Sequence, residues 1–234
     1  ADQPKTMLPT DPKNIWMEGI GLIGLGAYAK AASIAGDLVV QNARVRAIGE
    51  DAGGFRPISE KDLFDCEYWS LEQAKLGKGA PPKFQGKIVM ITGGSGTIGF
   101  AIAKAFSKLG AQTILVDKDE IALKESVAKL GVGHKYFPID VTHSDAANQA
   151  MLAAINNFGG LDILISNAGA AHAGPMLGIS NEELRNAFEL NFFSHYSFST
   201  EAAKILKDQN RGGQILFNIS KQAVNPGKNF GAYG

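Results

Sequence analysis

The chain has 234 residues, 45% of them hydrophobic, with Lys+Arg and Asp+Glu both totalling 23 and a formal net charge of zero. That length holds one large domain or one domain with an appendage, and the apolar share excludes a wholly disordered chain. Zero net charge gives no electrostatic case for binding nucleic acid or an anionic membrane.

In chain order, the first pattern is Gly19-Ile20-Gly21-Leu22-Ile23-Gly24, a literal GxGxxG. Read as a dinucleotide site it would have Asp37 as its ribose acid. Residues 14–18 make a poor buried strand, however, and no second βαβ unit follows, so a tight backbone bend is the better reading. A helix is predicted from Ala27 to about Ile48, closed by the polar, glycine-rich residues 50–54. A second helix is predicted over 60–76, with Ser59 as its N-cap. Residues 77–84 (Gly-Lys-Gly-Ala-Pro-Pro-Lys-Phe) read as a linker. The apolar stretch 19–29 is far too short to span a bilayer. The one cysteine, Cys66, excludes an internal disulfide and points to a reducing, cytoplasmic setting, beside which the Asn218-Ile219-Ser220 sequon carries little weight.

After the linker the rhythm changes. Short apolar runs at 87–91, 113–116, 136–139, 161–166 and 214–217 alternate with helical patterns through 109 and at 119–130, 145–157 and 181–207. Uniformly apolar strands alternating with helices predict a parallel sheet covered on both faces. The expected fold class is therefore α/β, a Rossmann-like doubly wound sheet over 85–234, behind a mainly helical N-terminal appendage over 1–76. Ligands in such sheets bind beyond the carboxyl ends of the strands.

Thr92-Gly93-Gly94-Ser95-Gly96-Thr97-Ile98-Gly99 sits directly between a predicted strand and a predicted helix. Its glycines let backbone approach a pyrophosphate, and the helix start supplies N–H groups and the positive end of a dipole. Gly93, Ser95, Gly96, Thr97, Ile98 and Gly99 are the candidate contacts. Asp117 ends the next strand, where a carboxylate accepts from a ribose 2′-hydroxyl and repels a 2′-phosphate; that favours NAD, although Lys118 weakens the preference.

These residues resemble the short-chain dehydrogenase/reductase family. Residues 92–99 are similar to its TGxxxGxG turn, except that Thr97 stands where many members carry glycine. Asp140 and Val141 resemble the pair that contacts adenine, and Asn167-Ala168-Gly169 resembles the family's NAG signature lining the cofactor cleft. Asn191, Ser220 and Tyr233 match the catalytic asparagine, serine and tyrosine, with 13 positions from Ser220 to Tyr233. The resemblance implies that Tyr233 exchanges the proton, Ser220 bonds the reacting oxygen, and Asn191 holds a water. The family's lysine lies four residues after its tyrosine, and only Gly234 remains here. The expectation is therefore a C-terminally truncated fragment, catalytically dead and poorly soluble alone, from a protein that forms homo-oligomers at full length.

Residues 64–76, the linker and residues 220–227 also resemble the bifunctional rhamnulose-1-phosphate aldolase/alcohol dehydrogenases. That implies 1–76 as the tail of a class II aldolase-like domain, and lactaldehyde as the small-molecule substrate of an NAD-dependent oxidoreductase. The histidines at 134, 143, 172 and 195 are scattered without a His-x-His motif, so no metal is expected. A loop position in solvent is the favoured reading for His172. The competing readings are a non-catalytic dinucleotide-binding sensor or scaffold module, and an aldolase piece.

Overall fold

The computed structural model describes residues 5, 7, 8, 10–71 and 80–234. The predicted linker lies partly outside these residues, as does the end of the helix predicted over 60–76. The chain divides into two units, Ala1–Pro81 and Pro82–Gly234.

In the first unit β1 (Asn14–Met17) and β2 (Gly21–Gly24) form an antiparallel hairpin, with Met17 opposite Gly21. Gly19 and Gly21 take left-handed backbone, φ +75° and +123°, and Ile20 N donates to Met17 O at 3.2 Å. A Cβ on Gly24 would strike the backbone of Ala32 and Gly36 in α1 (Ala29–Asp51). The literal GxGxxG is thus a hairpin turn followed by a close strand–helix approach. The helix α2 (Glu60–Glu67) starts as predicted, with Ser59 Oγ accepting from Asp62 N at 3.1 Å, but ends at Tyr68. Cys66 is exposed. Among the described residues no helix is long and apolar enough to cross a membrane, and no three His, Cys, Asp or Glu side chains gather to hold a metal.

The second unit alternates β3 (Ile88–Thr92), α3 (Thr97–Lys108), β4 (Gln112–Asp117), α4 (Glu120–Leu130), β5 (Lys135–Pro138), α5 (Ala146–Phe158), β6 (Ile163–Ser166), α6 (Asn181–Phe188), α7 (Ser194–Gln209) and β7 (Gln214–Phe217). Its five strands pair in parallel in the order β5-β4-β3-β6-β7. The order reverses between β3 and β6, the switch point at which a ligand crevice opens. Side chains alternate across the sheet. Met90, Ile114, Val116 and Leu164 pack beneath Ala150 of α5 and Phe198 of α7. Val89, Ile91, Leu115 and Ile163 pack against Ala103 and Leu123 on the other face. Each such aliphatic side chain contributes about 1.5–3 kcal/mol by leaving water, which is why the central strands read as unbroken apolar runs. The edge strand β7 leaves Leu216 and Phe217 exposed.

The end of the sheet where the strands begin is held by polar side chains. Asp162 accepts from Ile88 N and Lys87 Nζ, both at 2.9 Å. The Gln209 amide spans Leu161, accepting from its N at 2.9 Å and donating to its O at 2.6 Å. His134 closes the start of β4 by accepting from Thr113 N at 3.2 Å and pairing with Ser107 Oγ at 3.0 Å.

Burial pushes the His134 imidazole below its ordinary 6.5, and His195 shifts the same way for the same reason. On acidification the unfolded chain takes up these protons first, so stability falls as pH drops below 6.5. The carboxylates with lowered pKa, Asp140 and Glu183, start from 3.8 and 4.5 and act at lower pH. The melting temperature is expected to fall between about pH 7 and about pH 5.5, and less steeply in His134→Gln. Melting curves at both pH values check this; a flat profile in the parent chain contradicts it.

Candidate active site

The predicted long helix over 181–207 is interrupted. Glu189–Phe193 form a π-helical turn between α6 and α7. Widened turns of this kind recur at functional sites. It carries Asn191, whose Oδ1 accepts from Ala170 N and whose Nδ2 donates to Ala170 O, both at 3.0 Å. The Asn191 amide thus bonds the backbone just after Asn167-Ala168-Gly169, with one Oδ1 lone pair and one Nδ2 hydrogen left over.

That turn after β6 is tied to its neighbours on both sides. Thr92 Oγ1 accepts from Asn167 N at 2.9 Å and Ala168 N at 3.0 Å, while Asn167 Nδ2 donates to Thr92 O at 2.9 Å. On the far side Asn218 Nδ2 donates to Asn167 Oδ1 at 2.8 Å. One asparagine therefore joins the ends of β3, β6 and β7.

Beyond the switch point lies a cleft of about 430 Å³ lined by Gly93, Gly96, Thr97, Ile98, Gly99, Asp117, Asp140, Val141 and the 167–169 turn, with Lys118, Ile139, Ala170 and Leu190. Gly93 has φ +63°, and a Cβ there would sit 3.0 Å from Ala168 Cα. A Cβ on Gly99 would run into the Gly93 carbonyl. No side chain caps α3, which starts from Gly96. The bare helix start and the backbone-only bend suit a diphosphate, which needs N–H donors and no side chain in its way.

Ser95 faces the other way: its N and Oγ donate to Asp117 Oδ2 at 3.2 and 2.6 Å. Lys118 N donates to Asp117 Oδ1 at 2.8 Å. These bonds aim the carboxylate while leaving it on the cleft wall. Asp140 accepts from Thr142 N at 3.0 Å and Thr142 Oγ1 at 2.8 Å, which holds its carboxyl below the usual range.

A second cleft of about 660 Å³ shares Ile98 and the 167–169 turn with the first. It brings together Asn191, Ser220 and Tyr233 with His195, Tyr196 and Asn218. Ser220 opens a short 3₁₀ turn, Lys221–Ala223, where its Oγ accepts from Gln222 N at 3.2 Å. The Tyr233 ring meets Phe230 edge-on, centroids 6.3 Å apart. Asn218 was within reach of sequence reasoning, since it directly follows a strand. His195 was not, because its partners, the Ala168 backbone and Ser166 Oγ, lie 27 and 29 positions away. His172 lies in the loop after the 167–169 turn with a buried, unpartnered Nδ1, not in open solvent.

The family model of short chain dehydrogenases matches residues 87–234. The chain belongs to the short chain dehydrogenase family. A separate model, the second domain of class II aldolases, matches residues 1–76. The chain is 31% identical over 229 residues to the uncharacterized oxidoreductase YuxG of Bacillus subtilis, covering 95% of this chain and 33% of that protein. It is 30% identical over 146 residues to galactitol 2-dehydrogenase of Agrobacterium fabrum, covering 62% of this chain and 57% of that one. The chain thus spans a third to just over half of these relatives. Among solved structures, this short-chain dehydrogenase is similar to the 3-ketoacyl-(acyl-carrier-protein) reductase of Brucella melitensis complexed with NADH, with TM-score 0.62 and 27% identity over 64% of this chain and 63% of that one. An NAD+-bound xylitol dehydrogenase superposes with TM-score 0.62 and 28% identity, covering 65% of this chain and 60% of that one.

Proposed function

We propose that the second unit is the cofactor-binding part of an NAD-dependent oxidoreductase acting on a small hydroxyl or aldehyde compound. The observation that carries this is the pair of clefts sharing the 167–169 turn, one backbone-lined and the other holding Ser220 and Tyr233. The first would seat the dinucleotide: the bend at 93–99 for its diphosphate, Asp117 for the adenosine ribose, Asp140 and Val141 for the adenine. The dinucleotide, when bound, supplies or accepts hydride. The chain's own contribution is proton transfer at the Tyr233 hydroxyl, with Ser220 Oγ donating to the substrate oxygen as charge gathers on it. Asn191, bonded to Ala170 in the second cleft, would hold the water that links Tyr233 to solvent.

The similarity to YuxG runs through both units, and residues 1–76 match an aldolase model. Both support a bifunctional sugar-phosphate aldolase/dehydrogenase, with residues 1–76 from the aldolase-like domain and lactaldehyde as the aldehyde that the second unit reduces. NADH fluorescence titration tests the first cleft, and NADH oxidation with lactaldehyde against other small aldehydes, in the protein carrying this chain, tests the second. Absence of NADH binding overturns the reading.

The NAD preference is tested separately. Asp117→Asn removes the charge and keeps the shape. NADH affinity is expected to fall about tenfold, about 1.4 kcal/mol, while NADPH affinity rises. Parallel titrations of both nucleotides check it, and an unchanged ratio contradicts the role of Asp117.

A further inference from the structure

The proposed chemistry makes no use of His195, which nonetheless lines the same cleft as Ser220 and Tyr233. Its Nδ1 lies 2.7 Å from Ser166 Oγ, on a serine that is 1% exposed at the end of β6. The backbone carbonyl of that serine accepts from Asn218 N at 2.9 Å. Asn218 stands two positions before Ser220. The His195 ring also bonds the Ala168 backbone and lies 6.2 Å from the Phe217 ring, centroid to centroid. A continuous path therefore runs from the imidazole through Ser166 to the segment that carries Ser220.

We propose that His195 is a positioning residue, which sets the place of Ser220 by fixing Ser166 from beneath the cleft. The role rests on the functional reading above. Two neighbouring side chains of one helical segment grip the 167–169 turn from either end, Asn191 at Ala170 and His195 at Ser166. The dinucleotide side of the turn has its own attachments, the three bonds to Thr92. The histidine therefore bears most on the Ser166–Asn218 side of the turn, while the Thr92 bonds hold the residues shared with the dinucleotide cleft in place. Burial lowers the His195 pKa, so the ring is neutral near pH 7 and pairs with the serine hydroxyl without placing a charge in the core.

A histidine that merely fills space would tolerate any side chain of similar size. A histidine acting through Nδ1 has a specific substitute, because an asparagine amide reaches the Nδ1 position and a glutamine amide reaches that of Nε2. The experiment is hydrogen exchange at the Asn218 amide in the parent chain, His195→Leu, His195→Asn and His195→Gln, with an NADH titration of each. Exchange is expected to quicken about tenfold or more in the Leu and Gln variants. In the Asn variant it is expected to stay within about threefold of the parent, and NADH affinity within about twofold throughout. In the protein carrying this chain, kcat falls in the Leu variant while the KM for NADH holds. Unchanged exchange in the Leu variant overturns the proposal, and so does equal behaviour of Asn and Gln. If the Leu variant fails to fold, the comparison of Asn with Gln decides alone. If the parent binds no NADH, the functional reading fails and the exchange comparison still judges the His195–Ser166 contact.

Discussion

Tyr233→Phe is expected to lower NADH-dependent aldehyde reduction by about 100-fold to 10,000-fold, the range spanned by a single general acid, in the protein that carries this chain. NADH affinity is expected to stay within about twofold. The substitution removes one hydroxyl and keeps the ring, so the edge-on contact with Phe230 at 6.3 Å survives. Tyr233 lines the second cleft and is absent from the wall of the first. Loss of turnover with retained binding therefore separates proton transfer from cofactor capture. In the proposed reduction the phenolic hydroxyl of Tyr233 would give its proton to the substrate oxygen; phenylalanine has none to give. Steady-state rates together with fluorescence titration of NADH make the measurement. Turnover within about tenfold of the parent would remove Tyr233 from the reaction.

Gly99→Ala is expected to abolish most dinucleotide binding and to destabilise the second unit. The added Cβ meets the Gly93 carbonyl oxygen, with Gly93 C at 2.9 Å and Asn167 Nδ2 at 3.0 Å behind it. Two of these atoms are backbone and cannot rotate away. Overpacking at a site that cannot yield costs about 1–3 kcal/mol. Relief requires the start of α3 to move away from the Gly93 bend, which spoils the diphosphate seat, so NADH affinity is expected to fall by more than about tenfold. Gly36→Ala is the matched control: it lies inside α1, where an added Cβ meets nothing within 4 Å. Alanine is favoured over glycine in a helix by about 1 kcal/mol, so the control's melting temperature holds or rises and its NADH affinity is unchanged. Normal binding by Gly99→Ala would mean the 93–99 bend is not the diphosphate seat.

The sheet was legible because burial on both faces leaves the same mark on every central strand. Residues 88–91 and 114–116 are buried and uniformly apolar, with the polar residues Thr92, Gln112, Thr113 and Asp117 only at the strand ends. The strand end marked Asp117 as a candidate, while Asn167 and Ser220, each just after a strand, were singled out by the family resemblance. The N-terminal hairpin escaped for the opposite reason: β1 is exposed along its length, and its Ile15-Trp16-Met17 run is too short to read as a buried strand. The π-helical turn at Glu189–Phe193 also left no trace, since its residues continue the helical pattern on either side. The partners of Asn191 and His195, at Ala170 and Ser166, come close only when α6 and α7 fold back over β6. The Ser95–Asp117 bond is illegible in the same way: a serine in a glycine loop looks like a phosphate ligand until the neighbouring strand supplies a carboxylate.

Asp162 and Gln209 sit where the strands of the sheet begin, far along them from the two clefts. Register is therefore supported at one end of the sheet, and the proposed chemistry lies at the other. Selection can act on the two ends almost as separate traits: heat tolerance through residues such as Lys87, Asp162 and Gln209, and substrate range through the loops after β6 and β7. A lineage moving to a warmer habitat could rework the first set and keep its metabolism, and one taking up a new nutrient could rework the second and keep its fold.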